Sequence, residues 1–516
     1  MKHFKKLLCF SLAVLMLLLT LVACKNDQPI TDESTLDSDV DVTDTEETTA
    51  DTGWETDANG LVLDKIKDVD LNGRKIRILT GSGRMASCYS AGDNLSMPLN
   101  RAVFSRNQAV QVRLNCQLDF IEENDDHANV SAFTQRAMAL SSTGEVDMFA
   151  VYSMTTTSMM INGVLADLMP SDALHFEAPW WNSKMVDTCT LYDRMYFCTG
   201  DISYEILGQA YVMLFNKNLA ASMNVPEYLS QVHDAETMYD LVRSGDWTID
   251  TMMNIAKQFY VDSDGMKTGD DVFGYATTVI FLDAFYSGSD LKLLERGNDG
   301  SVIISDDMGS HKADKLASDI VEFMKTPSVT VYASFAKAGD GENGIWQKHL
   351  WNASQVLMYH ATLTEVLDET KFDVGVLPNP KYDKDQTEYL TCTGFPYGMW
   401  GISRTATNYE DLCYVLECMA SESYRKITPV YYDQMLLGRR DTKDDYEMLQ
   451  AISETIVIDG GRVMTNAFGD WTYYVFRGAL ASGISYLPYY EKRKEFLKES
   501  ALGLNSLILN MEELYR

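Results

Sequence analysis

Residues 146–151, Val-Asp-Met-Phe-Ala-Val, are the last of three short apolar segments that together predict the fold. The first is Lys-Ile-Arg-Ile-Leu-Thr at 75–80, and the second is Gln-Leu-Asp-Phe-Ile at 117–121. Each segment reads as a β-strand, and residues 100–114 and 130–140 between them have apolar side chains at helical spacing. This alternation of strand and helix is typical of a parallel sheet covered by helices, so the chain is predicted to be an α/β protein.

The ends of these strands give the first candidates for ligand contact. In open parallel sheets, ligands bind beyond the carboxyl ends of the strands. Ser82 follows the first predicted strand, and Tyr152 and Ser153 follow the third. We therefore expect these three residues to face a binding site.

The N-terminus has the pattern of an export signal. Lys2, Lys5 and Lys6 precede an apolar run at 7–22, and the segment ends in Leu-Val-Ala-Cys24. The last four residues resemble the lipobox of bacterial lipoproteins, which implies that 1–23 is removed and that Cys24 carries lipid. The alternative is a transmembrane anchor with an incidental cysteine, although the apolar run is short for a spanning helix.

Residues 24–58 predict a flexible tether after the lipid anchor. Between 25 and 58 the chain has twelve acidic residues and one lysine, and few large apolar residues. Such a segment cannot bury enough apolar surface to offset its chain entropy, and its like charges extend it. An acidic interaction tail is the rival interpretation.

The rest of the chain, from residue 59, is long enough for two domains. The net charge of −32 argues against binding nucleic acid or an anionic membrane through a basic face. The seven cysteines after Cys24 contain no C-x-x-C pair, and we expect them to be buried thiols, although Cys189 and Cys198 flank a turn and could pair.

No cofactor and no metal site are predicted. The histidines lack the spacing of a zinc site. Residues 262–271 partly resemble a calcium loop, but Tyr260 would stand at the first ligand position, so a solvated turn is the expected structure. Neither a nucleophile elbow nor a phosphate-binding loop is found, and paired carboxylates are common in so acidic a chain.

A series of short motifs resembles one family, the extracellular solute-binding proteins of ABC transporters (family 1, typified by maltose-binding protein). Residues 215–219, for example, resemble the family's Tyr-Asn-Lys-Asp-Leu. In chain order the motifs are Asp-Met-Phe-Ala-Val at 147–151, Gly-Val-Leu-Ala-Asp-Leu-Met-Pro at 163–170, Tyr-Asp-Arg-Met-Tyr at 192–196, Phe-Asn-Lys-Asn-Leu at 215–219, Gly-Asp-Trp-Thr-Ile-Asp-Thr at 245–251, Phe-Asp-Val-Gly-Val-Leu-Pro-Asn-Pro at 372–380 and Thr-Gly-Phe-Pro-Tyr at 393–397.

The resemblance implies two α/β lobes that close on a ligand by a hinge. It places 59–209 and 359–408 in the first lobe, and 210–358 and 409–516 in the second. The chain would cross between the lobes near 199–209, 359–362 and 403–408. Aromatic side chains can stack on sugar rings while polar groups bind the hydroxyls. The predicted ligand-binding residues are Ser82, Tyr152, Ser153, Asp201, Tyr204, Gln209, Tyr286, His360, Thr393 and Tyr397.

The sequence therefore predicts a lipid-anchored substrate-binding component of an ABC importer on the extracytoplasmic face of the cell membrane. Its expected partners are a small solute, most simply a carbohydrate, and the permease subunits that receive it. A peptide, polyamine or other polyol is possible within the same class. The alternatives from other classes are a lipid-anchored surface glycosidase, which would need two cleft carboxylates, and an adhesin, which the absence of repeats disfavours.

Overall fold

The computed structural model describes residues 53–91, 95–263, 265, 270–332, 345–436 and 442–514. The predicted signal peptide, Cys24 and most of the predicted tether lie outside these residues. The described strands, in chain order, are β1 (Arg74–Gly81), β2 (Cys116–Glu123), β3 (Met148–Tyr152), β4 (Tyr211–Asn216), β5 (Phe273–Thr278), β6 (Leu294–Arg296), β7 (Val302–Ile304), β8 (Val329–Tyr332), β9 (Val356–Thr362), β10 (Val374–Leu377), β11 (Thr391–Cys392), β12 (Gly398–Ile402) and β13 (Ile456–Val457).

Helices fill most of the intervening chain, and short 3-10 turns stand at Asp201–Ser203, Val279–Leu282, Asp306–Gly309, Leu363–Leu367 and Thr465–Phe468. The described α-helices are α1 (Arg84–Ser90), α2 (Pro98–Leu114), α3 (Val130–Ser142), α4 (Ser153–Ile161), α5 (Ser183–Cys189), α6 (Glu205–Gly208), α7 (Lys217–Ser222), α8 (Val225–His233), α9 (Met238–Arg243), α10 (Ile249–Gln258), α11 (Asp283–Gly288), α12 (His311–Met324), α13 (Ile345–Asn352), α14 (Tyr409–Lys426), α15 (Thr428–Leu436), α16 (Thr442–Glu454), α17 (Gly460–Val463), α18 (Trp471–Ser482) and α19 (Tyr486–Leu514).

The first sheet has four strands in the order β12-β3-β1-β2. Strand β1 pairs in parallel with both β2 and β3, as the sequence predicts. Strand β12 joins the edge antiparallel to β3, with Gly398 opposite Tyr152. The predicted α/β class is therefore confirmed, with an antiparallel edge strand that comes from a distant part of the chain.

The second sheet has five strands in the order β10-β4-β9-β5-β8. Strand β4 is antiparallel to both of its neighbours, whereas β5 is parallel to β9 and β8. In β5, a Cβ atom on Gly274 would lie 1.9 Å from the carbonyl oxygen of Ala256 in α10. The strand thus packs directly on the backbone of that helix, which requires a glycine at this position.

The course of the chain between the two sheets differs from the prediction in one place. Residues 359–362 do not leave the second sheet, because they form the end of β9 and pair with β4. Strand β10 also belongs to the second sheet, so the chain returns to the first sheet only at β12. The predicted crossing at 359–362 is wrong, since the extended apolar strand continues through it. The other limits of the two predicted lobes stay predictions.

Local sequence signals explain where several elements begin. The Thr248 hydroxyl accepts a hydrogen bond from the amide of Thr251 (3.2 Å) and caps α10. The Asn216 side chain caps α7 in the same way, through the amide of Leu219 (2.9 Å). Trp247, just before α10, is fully buried, and its indole donates to the carbonyl of Pro378 (2.9 Å).

The described cysteines are all buried and free: Cys88, Cys116, Cys189, Cys198, Cys392, Cys413 and Cys418. This confirms the expectation of buried thiols and shows that Cys189 and Cys198 do not pair. Burial raises the pKa of the Cys189 thiol to about 12, so it is an inert, apolar side chain at neutral pH.

None of the described helices has both the length and the apolar character needed to cross a bilayer.

Candidate functional site

Two of the predicted ligand residues, Tyr152 and Ser153, lie at the end of β3. Tyr152 ends β3, and its amide donates to a carboxylate oxygen of Asp125 (2.7 Å). The hydroxyl of Thr155 donates to the other oxygen (2.6 Å). Burial raises the pKa of Asp125 to about 6, against the effect of both hydrogen bonds. This carboxyl fixes the turn from β3 into α4.

The segment at 393–397 crosses this turn and connects it to the start of β4. The Ser153 hydroxyl donates to the carbonyl of Phe395 (2.6 Å), and the Ser153 amide donates to the carbonyl of Tyr397 (3.1 Å). On the other side, the amide of Gly394 donates to the carbonyl of Gln209 (2.8 Å). The same short segment therefore holds Tyr152, Ser153 and Gln209 close together.

Two buried arginines and one aspartate lie beside this segment. Arg462 donates to Asp283 (2.5 Å) and to the carbonyl of Thr393 (2.9 Å). Arg477 contacts both carboxylate oxygens of Asp283, one of them at 2.9 Å. Residual exposure is 5% for Arg462, 7% for Arg477 and 4% for Asp283. Burial opposes the charge of Arg477, but the pairing with Asp283 outweighs it and raises the pKa of this guanidinium.

Aromatic rings surround the two guanidinium groups. The guanidinium carbon of Arg462 is 4.4 Å from the ring centre of Phe395 and 6.0 Å from that of Tyr211. The same atom of Arg477 is 4.5 Å from the ring centre of Tyr473. Such cation–π contacts stabilise the position of each guanidinium group. We call Asp283, Arg462, Arg477 and the rings of Tyr211, Phe395 and Tyr473 the arginine cluster.

The side chain of Gln209 has an unused donor beside the arginine cluster. Gln209 is 3% exposed, and its amide nitrogen has no hydrogen-bond partner among the described residues. A buried polar group without a partner costs free energy, which a ligand that accepts its hydrogen bond would recover. Gln209 is therefore suited to binding a ligand oxygen.

Asp283 is the first residue of α11, and Arg462 lies in α17, whose N-cap is Asp459. Ser287 of α11 and Asp459 both border a cavity of about 570 Å³. This volume is within the range of small-molecule sites, which is about 300–1,000 Å³. The lining residues are Lys184, Asp187, Thr188, Ser287, Asp290, Leu291, Lys292, Leu294, Asp385, Gln386, Thr387, Glu388, Leu390, Val457, Ile458 and Asp459.

The structure brings together five of the ten predicted ligand residues, namely Tyr152, Ser153, Gln209, Thr393 and Tyr397. Ser82 is exposed at the end of β1, where its amide donates to the carbonyl of Glu123 (2.7 Å). Asp201 and Tyr204 line a different, smaller cavity. Ligand contact by these residues stays a prediction.

The other two predicted residues lie in buried packing. The hydroxyl of Tyr286 donates to the carbonyl of Lys292 (3.2 Å), and its ring packs on Phe476 at 5.0 Å between centres. His360 is fully buried in β9, between the hydroxyl of Tyr275 and the side chain of Asn379. Trp180 is also fully buried.

The arginine cluster was not predicted from the sequence. Tyr211 and Phe395 stand within two residues of predicted positions and could have been included on that ground. Asp283, Arg462 and Arg477 had no such signal, because the bonds that join them span 179 and 194 positions of the chain. Only the three-dimensional fold brings these side chains into contact.

The described part of the calcium-like segment is a hydrogen-bonded turn. Asp271 accepts hydrogen bonds from the hydroxyl of Tyr260 (3.0 Å) and from the amide of Ser263 (3.1 Å). Asp262 accepts one from the amide of Gly265 (2.6 Å). Within the described ranges, no group of three or more His, Cys, Asp or Glu side chains is placed to hold a metal ion.

Comparison with known proteins identifies the fold. No protein-family model and no curated protein matches the chain. A sugar transporter from Rhizobium etli in an open conformation matches at 11% identity and a TM-score of 0.54, covering 82% of this chain and 99% of that one. A cyclo/maltodextrin-binding protein complexed with maltotetraose matches at 10% identity and a TM-score of 0.51, covering 83% and 97%. The chain has the two-lobed α/β fold of solute-binding proteins, as the sequence motifs imply.

Proposed function

We propose that this protein is the solute-binding component of an ABC importer, and that it captures a sugar or oligosaccharide between two lobes for delivery to a membrane permease. The observation that carries the proposal is the arginine cluster together with the unpaired amide of Gln209. It combines rings, fixed hydrogen-bond donors and a buried position in a protein with the fold of solute-binding proteins.

The chemistry of the cluster suits a polyhydroxylated ligand. The C–H faces of a sugar ring pack on aromatic side chains, and its hydroxyl oxygens accept hydrogen bonds from guanidinium and amide groups. Asp283 holds both arginines in place, so little side-chain entropy is lost when a ligand binds. The cavity of about 570 Å³ is bordered by α11 and by Asp459, which are neighbours of the cluster in the chain, and it provides room for a small solute in the same region.

Binding, not bond cleavage, is the proposed activity. A glycosidase needs one carboxyl group as an acid and a second as a base or nucleophile. In the cluster, Asp283 is bound by two guanidinium groups, which favours a fixed structural anion over a proton donor. The proposed activity would depend on the affinity for the ligand and on the population of the closed state.

Membrane attachment is the second part of the proposal. Cys24 would carry acyl chains on the extracytoplasmic face, and residues 24–58 would let the folded body move while it stays near its permease. More than one acyl chain is needed for a stable hold on a bilayer. The lipobox-like end of the signal and the acidic composition after it support this arrangement.

A ligand panel followed by one substitution tests the binding site. Maltose, maltotriose and ribitol are titrated into the purified protein in a thermal-shift assay, and a true ligand raises the melting temperature as its concentration increases. Gln209→Ala is then expected to lower the affinity for that ligand by about tenfold, because a hydrogen bond to a buried donor contributes about 1–1.5 kcal/mol.

The matched control is Gln231→Ala on the exposed face of α8, where the side chain bonds only to Glu227. The affinity of Gln231→Ala for the same sugar should equal that of the unmodified protein. If a sugar raised the melting temperature of Gln209→Ala as much as that of the unmodified protein, Gln209 would not be a ligand-binding residue. Cleavage of a polysaccharide without stabilisation by any small solute would overturn the proposed function.

Cys24→Ala is expected to abolish incorporation of labelled palmitate and to release the protein from the membrane fraction. Ligand affinity should be unchanged, because the tether separates the anchor from the folded body. Cys9→Ala, which alters the other cysteine of the signal, is the control and should be labelled normally. Equal labelling of Cys24→Ala would contradict the lipid anchor, and a loss of ligand binding would contradict a separate tether.

A further inference from the structure

The arginine cluster contains more positive than negative charge. Among the described residues, Asp283 is the only carboxylate in ion-pair contact with Arg462 or Arg477. All three side chains are buried, so two positive charges share one negative charge away from bulk water. A buried charge is costly unless it is paired, and one of the two guanidinium groups therefore lacks a counter-ion of its own.

The two guanidinium groups also meet at a single oxygen atom. Nη1 of Arg462 and Nη2 of Arg477 both donate to Oδ2 of Asp283. Like charges so close to each other repel, and the charge of Arg462 acts against that of Arg477. A second anion beside the two arginines would offset this repulsion.

Asp459, the carboxylate three residues before Arg462 in the chain, is occupied elsewhere. It is the N-cap of α17, and its two oxygens accept hydrogen bonds from the amides of Gly461 (2.6 Å) and Leu293 (2.8 Å). Burial raises the pKa of Asp459, although these bonds and Arg462 oppose that shift. Asp459 therefore fixes the backbone at the start of α17 and does not pair directly with either arginine of the cluster.

Two hydrogen-bond donors of the cluster are unused and within reach of a ligand. Arg477 binds Asp283 through Nε and Nη2, and no described residue accepts a hydrogen bond from its Nη1. The Tyr211 hydroxyl also has no hydrogen-bond partner in the described chain, and neither atom is fully buried. Burial raises the pKa of Tyr211 while both arginines act to lower it, which places the phenol beside the guanidinium groups.

The larger cavity has the opposite charge. Its ionisable lining residues are five acids and two lysines, namely Asp187, Asp290, Asp385, Glu388, Asp459, Lys184 and Lys292. A ligand anion is disfavoured among these carboxylates and favoured at the arginines. An anionic group of the ligand is therefore expected at the arginine cluster, with the uncharged part of the ligand directed away from it.

We propose that the ligand of the arginine cluster is an acidic sugar, a uronic acid or an oligosaccharide that contains one, whose carboxylate accepts hydrogen bonds from Nη1 of Arg477 and from the Tyr211 hydroxyl. A carboxylate matches the planar donors of arginine and supplies the second negative charge of the cluster. This inference rests on the proposed function, because it names the class of sugar that the same site binds.

Glucuronate and galacturonate are the probes, and each is compared with its uncharged amide, glucuronamide or galacturonamide. Binding is measured by calorimetry at about pH 7, where a sugar carboxyl group is ionised. The amide has the same shape as the acid but no charge. At least one of the two acids is expected to bind at least about tenfold more tightly than its amide, because hydrogen bonds to a charged acceptor are stronger.

Arg477→Met tests the source of this preference. It leaves Asp283 and Arg462 as a buried pair of equal and opposite charges, so the variant should fold, as its melting temperature would show. It should lower the affinity for the acid about tenfold more than the affinity for the amide. Arg136→Met is the matched control, since this arginine is half exposed and pairs with Glu123 at the surface. Its ratio of acid to amide affinity should equal that of the unmodified protein.

Tyr211→Phe is a second variant that keeps the ring and removes only the hydroxyl. It should lower the affinity for the acid several-fold, and more than the affinity for the amide. Equal binding of acid and amide by the unmodified protein would overturn the inference, as would an unchanged acid-to-amide ratio in a folded Arg477→Met or in Tyr211→Phe. Binding of a neutral sugar but of neither acid would overturn it too, and would leave the proposed transport function intact. If neither neutral nor acidic sugars bound, the proposed function would fail with it.

Discussion

Replacing Asp283 by asparagine is expected to lower the free energy of unfolding by about 3–5 kcal/mol. Asp283 is the anion between Arg462 and Arg477, and all three side chains are buried. An asparagine of the same shape could accept one hydrogen bond but would leave two positive charges close together without a counter-ion. The measurement is urea unfolding followed by tryptophan fluorescence, at constant ionic strength.

The control for this substitution is Glu322→Gln on α12. Glu322 pairs with Lys325 at the surface, where the two side chains are 69% and 62% exposed. Exposed pairs contribute little, so this variant should stay within about 0.5 kcal/mol of the unmodified protein. If Asp283→Asn also changed the free energy of unfolding by no more than about 0.5 kcal/mol, the two arginines would not depend on this carboxylate.

A double variant separates charge from shape. Asp283→Asn combined with Arg462→Met removes one of the two stranded positive charges, so it should recover part of the stability that Asp283→Asn loses. Exact additivity of the two single changes would mean that Asp283 and Arg462 are not coupled. Titration of the two single variants and the double variant with the sugar found by thermal shift would show whether the cluster that stabilises the fold also binds the ligand.

Elements defined by local sequence could be predicted well. Strand β1 and helix α3 follow from apolar spacing alone, and the start of α10 follows from Thr248, whose hydroxyl caps the helix. The turn that Cys189 and Cys198 were expected to flank is also present, at Leu191–Arg194, where Tyr192 and Asp193 have positive φ angles of 49° and 57°. These features depend on neighbouring residues, which a sequence shows directly.

Features that depend on distant pairing could not be predicted in the same way. Strand β12 pairs with β3 across about 250 positions of the chain, and nothing in either segment specifies the other. Residues 359–362 have the alternation of a strand end, and only the pairing with β4 shows that β9 continues through them. The position of a chain crossing is therefore a property of the assembled sheets.

The candidate site shows the same division. Tyr152, Ser153 and Tyr397 were predicted because they follow strands or a loop motif, and the structure does bring them together. Asp201 was predicted because it lies in the expected crossing at 199–209. It lines the separate small cavity instead, because the turn at Asp201–Ser203 directs this part of the chain toward α15. Strand ends identify a region, but side-chain direction within an irregular crossing is set by packing.

His360 gives the second large expected effect, which is on the pH dependence of stability. Burial lowers the pKa of His360 to about 4 from its ordinary value of 6.5, although the Asn379 side chain partly opposes this shift. The ring also stacks on Phe281, with 5.8 Å between centres. A proton on this imidazole would be buried without a negative partner among the described contacts, so the folded protein keeps the ring neutral.

The direction of the effect follows from proton uptake by the two states. Below pH 6.5 the unfolded chain binds a proton at His360, while the folded protein does so only near pH 4. The stability that this residue contributes is thus complete above about pH 6.5 and falls by about 3 kcal/mol as the pH drops to about 4. In His360→Gln that loss should be absent, so the variant's free energy of unfolding should change less steeply over this range.

The comparison must be made between proteins, because Asp125 and Asp201 titrate in the same range with the opposite sign. Their pKa values are raised by burial, so the folded state binds their protons more tightly and gains stability as the pH falls. Subtracting the curve of His360→Gln from that of the unmodified protein cancels both groups. His311→Gln, at an exposed position on α12, is the control and should follow the unmodified curve. Parallel curves for His360→Gln and the unmodified protein would mean that the ring can be protonated in the folded state, as a solvated residue of a ligand cleft would be.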